Sequence, residues 1–193
     1  IVFLHGAIAN EVWWHPVAAA IQKRSFTLDL LGHGQSDWQE VYSLSSHAEN
    51  VMALIQDQNL QDVVLIGHSY GGAVAALVRA HMPTIKIILI DTPIYLLQAE
   101  ALTSSRRYLK PIYRTKEEAI ARFKPIPNQP IVRKDLLQMI AEASLKEVPG
   151  GYSWQFDPAF HRRKITKEEQ EKIKLAVNHQ QYWYGEFSPF ATE

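Results

Sequence analysis

Gly67-His68-Ser69-Tyr70-Gly71-Gly72 sets a serine between glycines two residues away on either side. A serine so flanked can occupy a turn too tight for ordinary side chains, with its hydroxyl exposed, which makes Ser69 a candidate nucleophile. Glycine and serine are common residues, so the spacing alone is a weak signal and its flanks supply the weight. Val63-Val64-Leu65-Ile66 reads as a short buried strand, and Ala73-Val74-Ala75-Ala76-Leu77-Val78-Arg79-Ala80 reads as a buried helix. Strand, sharp turn and helix is the context in which a Gly-x-Ser-x-Gly serine does chemistry. A positive φ at Ser69 would crowd the residues two before and two after it, so Gly67 and Gly71 are expected to spare Cβ clashes, and Gly72 to bring the helix close to the strand. The Tyr70 N–H, at the start of that helix, is then a candidate donor to a developing oxyanion.

The elements that must position this serine follow from the apolar runs. Ile1 to Leu4, Phe26 to Leu30, Val63 to Ile66 and Ile85 to Ile90 alternate with helical patterns, which predicts an α/β fold with a doubly wound, mostly parallel sheet. Ser46 and Glu49 stand in capping-box spacing before a helix whose buried face carries Ala48, Val51, Leu54 and Ile55. Ligand chemistry in such sheets gathers at the carboxyl ends of the strands. His5-Gly6, Gly32-His33-Gly34, Ser69 and Asp91 all fall there. From about Ile94 the pattern becomes mostly helical, with capping boxes at Thr115/Glu118 and Thr166/Glu169, and strand character returns only at Gln181 to Tyr184. The expected organisation is a core over residues 1–93, a helical insertion over 94–178 and a return to the core over 179–193.

Composition narrows the function classes. At 193 residues and 47% hydrophobic, the chain can bury one sizeable core. Twenty basic and twenty acidic residues leave no net charge, so no global signal points to nucleic acid or an anionic membrane. Nine Lys/Arg against two Glu lie within residues 106–134; this stretch reads as a solvated helix face, with attraction of an anionic substrate as the alternative. There is no cysteine, hence no disulfide or thiolate chemistry. The histidines lack ligand spacing, so no metal or other cofactor is expected. No run of 18 apolar residues marks a membrane span, and the default expectation is a soluble, cytoplasmic protein acting on a small-molecule substrate.

The ordered set of His5-Gly6, Asp29-Leu30-Leu31-Gly32-His33-Gly34-Gln35-Ser36-Asp37, the serine turn, Asp91-Thr92-Pro93 and the late strand ending at Gly185 resembles the α/β-hydrolase fold family in its cap-bearing branch. The resemblance runs from Ile1 to Glu193. It implies a serine hydrolase working through an acyl-enzyme on esters, thioesters, amides or carbon–carbon bonds, with residues 94–178 as a cap over the pocket. Relatives with aspartate at the turn are dehalogenases and epoxide hydrolases, and Ser69 argues against both. By the same resemblance the second oxyanion N–H comes from Ala7 or Ile8, while His5 is structural. The acid of the triad is expected at Asp91, with Glu186 as the weaker alternative, because Ser188 stands where many relatives place an aspartate. The catalytic histidine of such enzymes follows one further strand and is expected beyond residue 193; strands are likewise expected before Ile1, so that the first and last strands of the fold lie outside these residues and the printed chain alone should be nearly inactive. Cap aromatics Tyr108, Tyr113, Phe123, Trp154 and Phe156, with His68 at the turn, are the expected pocket, suited to an apolar acyl group. A catalytically incomplete binding protein on the same fold, or a hydroxynitrile-lyase-like enzyme, are the competing readings.

Overall fold

In the computed structural model, residues 1–92, 110–125, 133–177 and the backbone of 181–183 are described. The predicted sheet forms from β1 (Val2–Leu4), β2 (Phe26–Leu28), β3 (Val64–His68), β4 (Lys86–Ile90) and β7 (Gln181–Trp183). The strands lie in the order β2-β1-β3-β4-β7, and every neighbouring pair is parallel. β3 continues two residues past the apolar run, because Gly67 and His68 still pair with Leu89 and Ile90, and so delivers Ser69 to the end of the sheet. Around this sheet run α1 (His15–Ile21), α2 (Leu44–Asp57), α3 (Tyr70–His81), α4 (Lys116–Ala121), α5 (Lys134–Ala143) and α6 (Lys167–Val177).

Alternation along the strands divides the interior into two cores. Val2, Leu4, Leu65, Ile87 and Leu89 face the larger one, where they meet α2, α3 and α6 through Val51, Val74, Leu77 and Ile173. Phe3 and Ile66 face the other side, against Trp14 and the Ala18 and Ile21 side chains of α1. α3 is buried from Tyr70 to Val78 because the sheet covers one side of it and α2 and α6 the others. Each fully buried Leu or Val there contributes about 1.5–3 kcal/mol by removal from water.

Three local expectations change. The box at the start of α2 is Ser43 with Ser46, not Ser46 with Glu49: Ser43 Oγ accepts from the Ser46 N–H at 3.0 Å, and the Ser43 N–H donates to Ser46 Oγ at 3.2 Å. At α4, Thr115 caps Glu118 N–H, but the Glu118 carboxylate takes the Arg114 N–H in place of its own N-cap's. Within the stretch read as helical, β5 (Leu145–Val148) and β6 (Gly151–Trp154) form an antiparallel hairpin, turned at Gly150 and Gly151 with φ of 91° and 142°. Among the described residues, no helix is long and apolar enough to cross a membrane.

The Thr166/Glu169 box at α6 forms as the spacing predicts, and it does more than cap its own helix. The Thr166 N–H donates to Glu169 Oε2 at 2.6 Å, and the Glu169 N–H donates to Thr166 Oγ1 at 3.2 Å. The other carboxylate oxygen, Oε1, accepts the Ser45 N–H at 2.8 Å and the Ser45 hydroxyl, so one buried carboxylate closes the N-terminal ends of both α2 and α6. Both helix dipoles favour the charge there. Glu169→Ala strands these donors and is expected to lower the unfolding free energy by about 1–3 kcal/mol with an unchanged m value in urea denaturation.

Candidate functional site

Ser69 is held at φ 50° and ψ −118°, a strained conformation for a residue with a Cβ. Its N–H donates to the Ile90 carbonyl at the end of β4 at 2.9 Å, and its carbonyl accepts from Gly72 at 3.0 Å as α3 begins. The expected roles of the three glycines are met by different neighbours. A Cβ on Gly67 would lie about 2.5 Å from the Gly71 carbonyl oxygen and the Gly72 Cα; one on Gly71 would strike the Leu4 and His5 carbonyls at the end of β1. Gly72 meets Gly67 of β3, as expected, and a Cβ on it would also strike the Thr92 side chain after β4.

The loop after β1 closes over the serine. A Cβ on Gly6 would meet Ser69 Cβ at 3.3 Å and His68 Nδ1 at 2.8 Å, so residues 6 and 7 pass directly beside the hydroxyl-bearing turn. Tyr70, as the first residue of α3, has an N–H without an intrahelical acceptor. Of the two residues expected as the second donor, Ile8 is already committed: its N–H donates to His33 Nε2 at 3.1 Å. No described residue accepts from the Ala7 N–H.

Histidines build the walls of this site. Leu30 N–H donates to His5 Nε2 at 3.0 Å, which leaves the Nδ1 proton for the Gly6 carbonyl at 2.8 Å. His33 repeats the arrangement, accepting from Ile8 at Nε2 and donating from Nδ1 to Leu31 at 3.0 Å. These tautomers follow from the partners on each ring. His47, on the buried face of α2, has its ring nitrogens 2.7 Å from the Ser43 carbonyl and 3.2 Å from the Leu31 carbonyl, with Tyr70 Oη 3.3 Å from Nδ1. Phe160 packs edge-on against His33, His47 and Tyr70, and the Arg163 guanidinium lies over the Phe160 and Tyr70 rings. Burial pushes the pKa of His5 down to about 4, holds those of His33 and His47 below the usual value, and raises that of the Tyr70 hydroxyl.

His68 and Asp91 also meet here. Asp91 follows β4 with φ 48°, one residue beyond the carbonyl that holds the Ser69 N–H. Burial lowers the His68 pKa, and the Asp91 charge opposes that shift. Tyr113 pairs its backbone with Tyr152 and sets its ring 5.8 Å from Trp154, which in turn lies 5.3 Å from Phe123. Trp13, not singled out from the sequence, extends this aromatic wall at 6.2 Å from Phe123; the paired tryptophans seven residues after Gly6 are the signal that could have found it. Phe156 instead is buried and forms a bridge to His33, so it belongs to the junction beneath the hairpin. Tyr108 and Glu186 lie outside the described residues. Among the described residues no group of His, Asp or Glu could hold a metal ion. Two surface hollows of about 280 and 570 Å³ lie at the other ends of the strands, around Asn59, Gln61 and Val63, away from Ser69.

Comparison with known proteins gives one consistent result. A model of the Alpha/beta hydrolase family matches residues 1–187. Lipase LipV of Mycobacterium tuberculosis is 27% identical over 165 residues, which are 80% of this chain and 61% of that protein. A putative esterase/lipase of Haemophilus influenzae is 30% identical over 147 residues, covering 74% of this chain and 51% of its own. Among solved structures, a hypothetical protein of Pseudomonas aeruginosa PAO1, PA1622, superposes with a TM-score of 0.71 at 26% identity, over 95% of this chain and 71% of that one. The chain thus spans less than two thirds of the length of the curated relatives that it matches.

The neutral histidines couple this site to pH. In the unfolded chain each takes up a proton near pH 6.5, whereas folded His5 does so only near pH 4. The folded state therefore binds fewer protons between those values, and stability present above pH 6.5 is lost as pH falls toward 4. His5→Gln is expected to be less stable at pH 7 and to show a shallower loss of unfolding free energy between pH 6.5 and 4, as read by urea denaturation across that window.

Proposed function

This chain belongs to the alpha/beta hydrolase family, and on that premise we propose that it is a serine hydrolase that forms an acyl-enzyme on small, apolar esters or related acyl substrates. The observation that carries the proposal is the placement of Ser69: a strained residue at the N-terminus of α3, with the Gly6-Ala7 backbone alongside. The similarity to proteins named as lipase and esterase supports ester chemistry.

In this reading Ser69 Oγ attacks the acyl carbon and gives its proton to a histidine base. The carbonyl oxygen becomes an oxyanion between the N–H groups of Tyr70 and Ala7. Each such donor is worth about 10²–10³ in rate when aimed at the developing charge. Collapse expels the alcohol, protonated by the same histidine, and water then releases the acyl group by the reverse sequence. His5, His33 and His47 are engaged by backbone groups and are not the base; that role goes to a histidine outside the described residues. Asp91 is the acid that orients it, since it sits one residue past the carbonyl anchoring Ser69. The described residues within 94–178 supply the roof, and Tyr113, Phe123 and Trp154 from them, with Trp13 from the core, form the apolar wall that receives the acyl chain. His68, pressed against Gly6, borders the floor.

A fluorophosphonate probe should label the full-length protein at Ser69 and fail to label Ser69→Ala, whose kcat/KM for p-nitrophenyl butyrate should fall by about 10³-fold or more. Failure of the folded wild-type protein to label removes the nucleophile from the proposal. Asp91→Asn should lower kcat by about 10³–10⁴-fold with KM little changed. If Asp91 only braces its loop, the variant instead loses thermal stability and keeps its kcat.

A further inference from the structure

Three segments remote in sequence meet where the loop after β2 touches the β5–β6 hairpin. The Gly34 N–H donates to the Gln155 carbonyl at 2.7 Å, Gln35 Nε2 reaches Gln155 Oε1 at 3.4 Å, and Ser153 Oγ donates to the Pro111 carbonyl at 2.9 Å. These bonds tie together the stems from which Trp38, Lys110 and Lys146 project. Trp38 is 45% exposed, and both lysines are half-buried. Lys110 Nζ stands 4.2 Å and Lys146 Nζ 4.1 Å from the centroid of the same Trp38 ring, which brings the two ammonium charges together.

One ammonium over an exposed indole is weakly favourable. Two ammonium charges at one ring repel each other, so the indole alone does not hold both. Neither lysine forms an ion pair with a carboxylate among the described residues. Asp157, whose charge reaches Lys110, has its oxygens engaged by the Tyr42 hydroxyl at 2.6 Å and the Ala159 N–H at 2.8 Å. Burial, then the charge of Lys146, holds Lys110 down to about 8.

We propose that Lys110 and Lys146 form a binding site for a dianionic phosphoryl group seated against Trp38. A phosphoryl dianion matches two ammonium charges and offers several acceptor oxygens to their N–H donors, whereas a carboxylate brings a single charge. Binding converts the repulsion between the lysines into a shared attraction and raises the Lys110 pKa. Inorganic phosphate and a phosphate ester carried on a larger molecule present the same chemistry, and the exposed Trp38 leaves the site open to either. The site shares no residue with the proposed catalytic group, so it stands whether or not Ser69 is a nucleophile.

The test is a pH titration of the full-length protein after reductive ¹³C-dimethylation of its lysines, followed by NMR, with Lys110→Met and Lys146→Met assigning the two signals. Without phosphate, the Lys110 signal should titrate well below the other lysines, and Lys146→Met should move it up toward them. Inorganic phosphate at fixed ionic strength should raise the Lys110 midpoint by about one unit or more, saturably, with Ser69→Ala behaving as wild type. A larger response to phenyl phosphate than to inorganic phosphate identifies an ester as the ligand, and an equal response identifies the free anion. A Lys110 midpoint among those of the other lysines, or a phosphate response no larger than that to acetate, overturns the site.

Discussion

The positive φ at Ser69 is the constraint on which the surrounding architecture depends. Holding a residue with a Cβ there costs about 1–3 kcal/mol. The compensation comes from three directions: the Ile90 carbonyl takes the Ser69 N–H, the first turn of α3 takes the Ser69 carbonyl, and the glycines allow α3 to press onto the ends of β1 and β4. α3 can be driven into that position because it is apolar on every side and covered by the sheet, α2 and α6. Packing energy gathered along the whole helix is thus concentrated on a single dihedral angle at its start.

Neutral imidazoles perform the corresponding task for the loops. His5 and His33 each accept a backbone N–H on one nitrogen and donate to a backbone carbonyl from the other, bridging the loops after β1 and β2. A buried loop leaves polar groups without partners, and a neutral histidine answers one donor and one acceptor at once without burying charge. His33 also decides the fate of neighbouring amides: it takes the Ile8 N–H, while the Ala7 N–H has no acceptor among the described residues. Under the hydrolase reading, the oxyanion geometry is set from the second loop as much as from the first.

What could be read from the chain was what sequence neighbours determine. The strand, turn and helix around Ser69 are contiguous, and the two-residue alternation of Val2, Phe3 and Leu4 or of Leu65 and Ile66 already separates the two faces of the sheet. The capping box at Ser43 was hidden by a second serine, Ser46, in frame with Glu49, and only the helix start distinguishes the two. Lys146 and Glu147 have little strand propensity, so the hairpin they join is set by its turn at Gly150 and Gly151 and by its contacts with Tyr113 and Tyr152. The buried roles of His5, His33 and His47 depend on partners up to 25 residues away. Ser69 and Asp91 were legible as neighbours because both end adjacent strands; the commitment of Ile8 to His33 was not, because it depends on the path of two loops.

The carboxylate of Glu169 has a consequence for how this chain is made. α2 begins at residue 44, yet the first turn of that helix receives its buried anion from a position 124 residues later, and α3 obtains one of its covering layers from the same late helix. On a ribosome adding about 5–20 residues per second, strands β1 to β4 and the Ser69 turn emerge seconds before α6 exists to cover them. During that interval the apolar flank of α3 and the open end of α2 are binding surfaces for anything that recognises nascent chains. Completion of the fold waits on a contact of long sequence separation, whose loop-closure entropy slows it further.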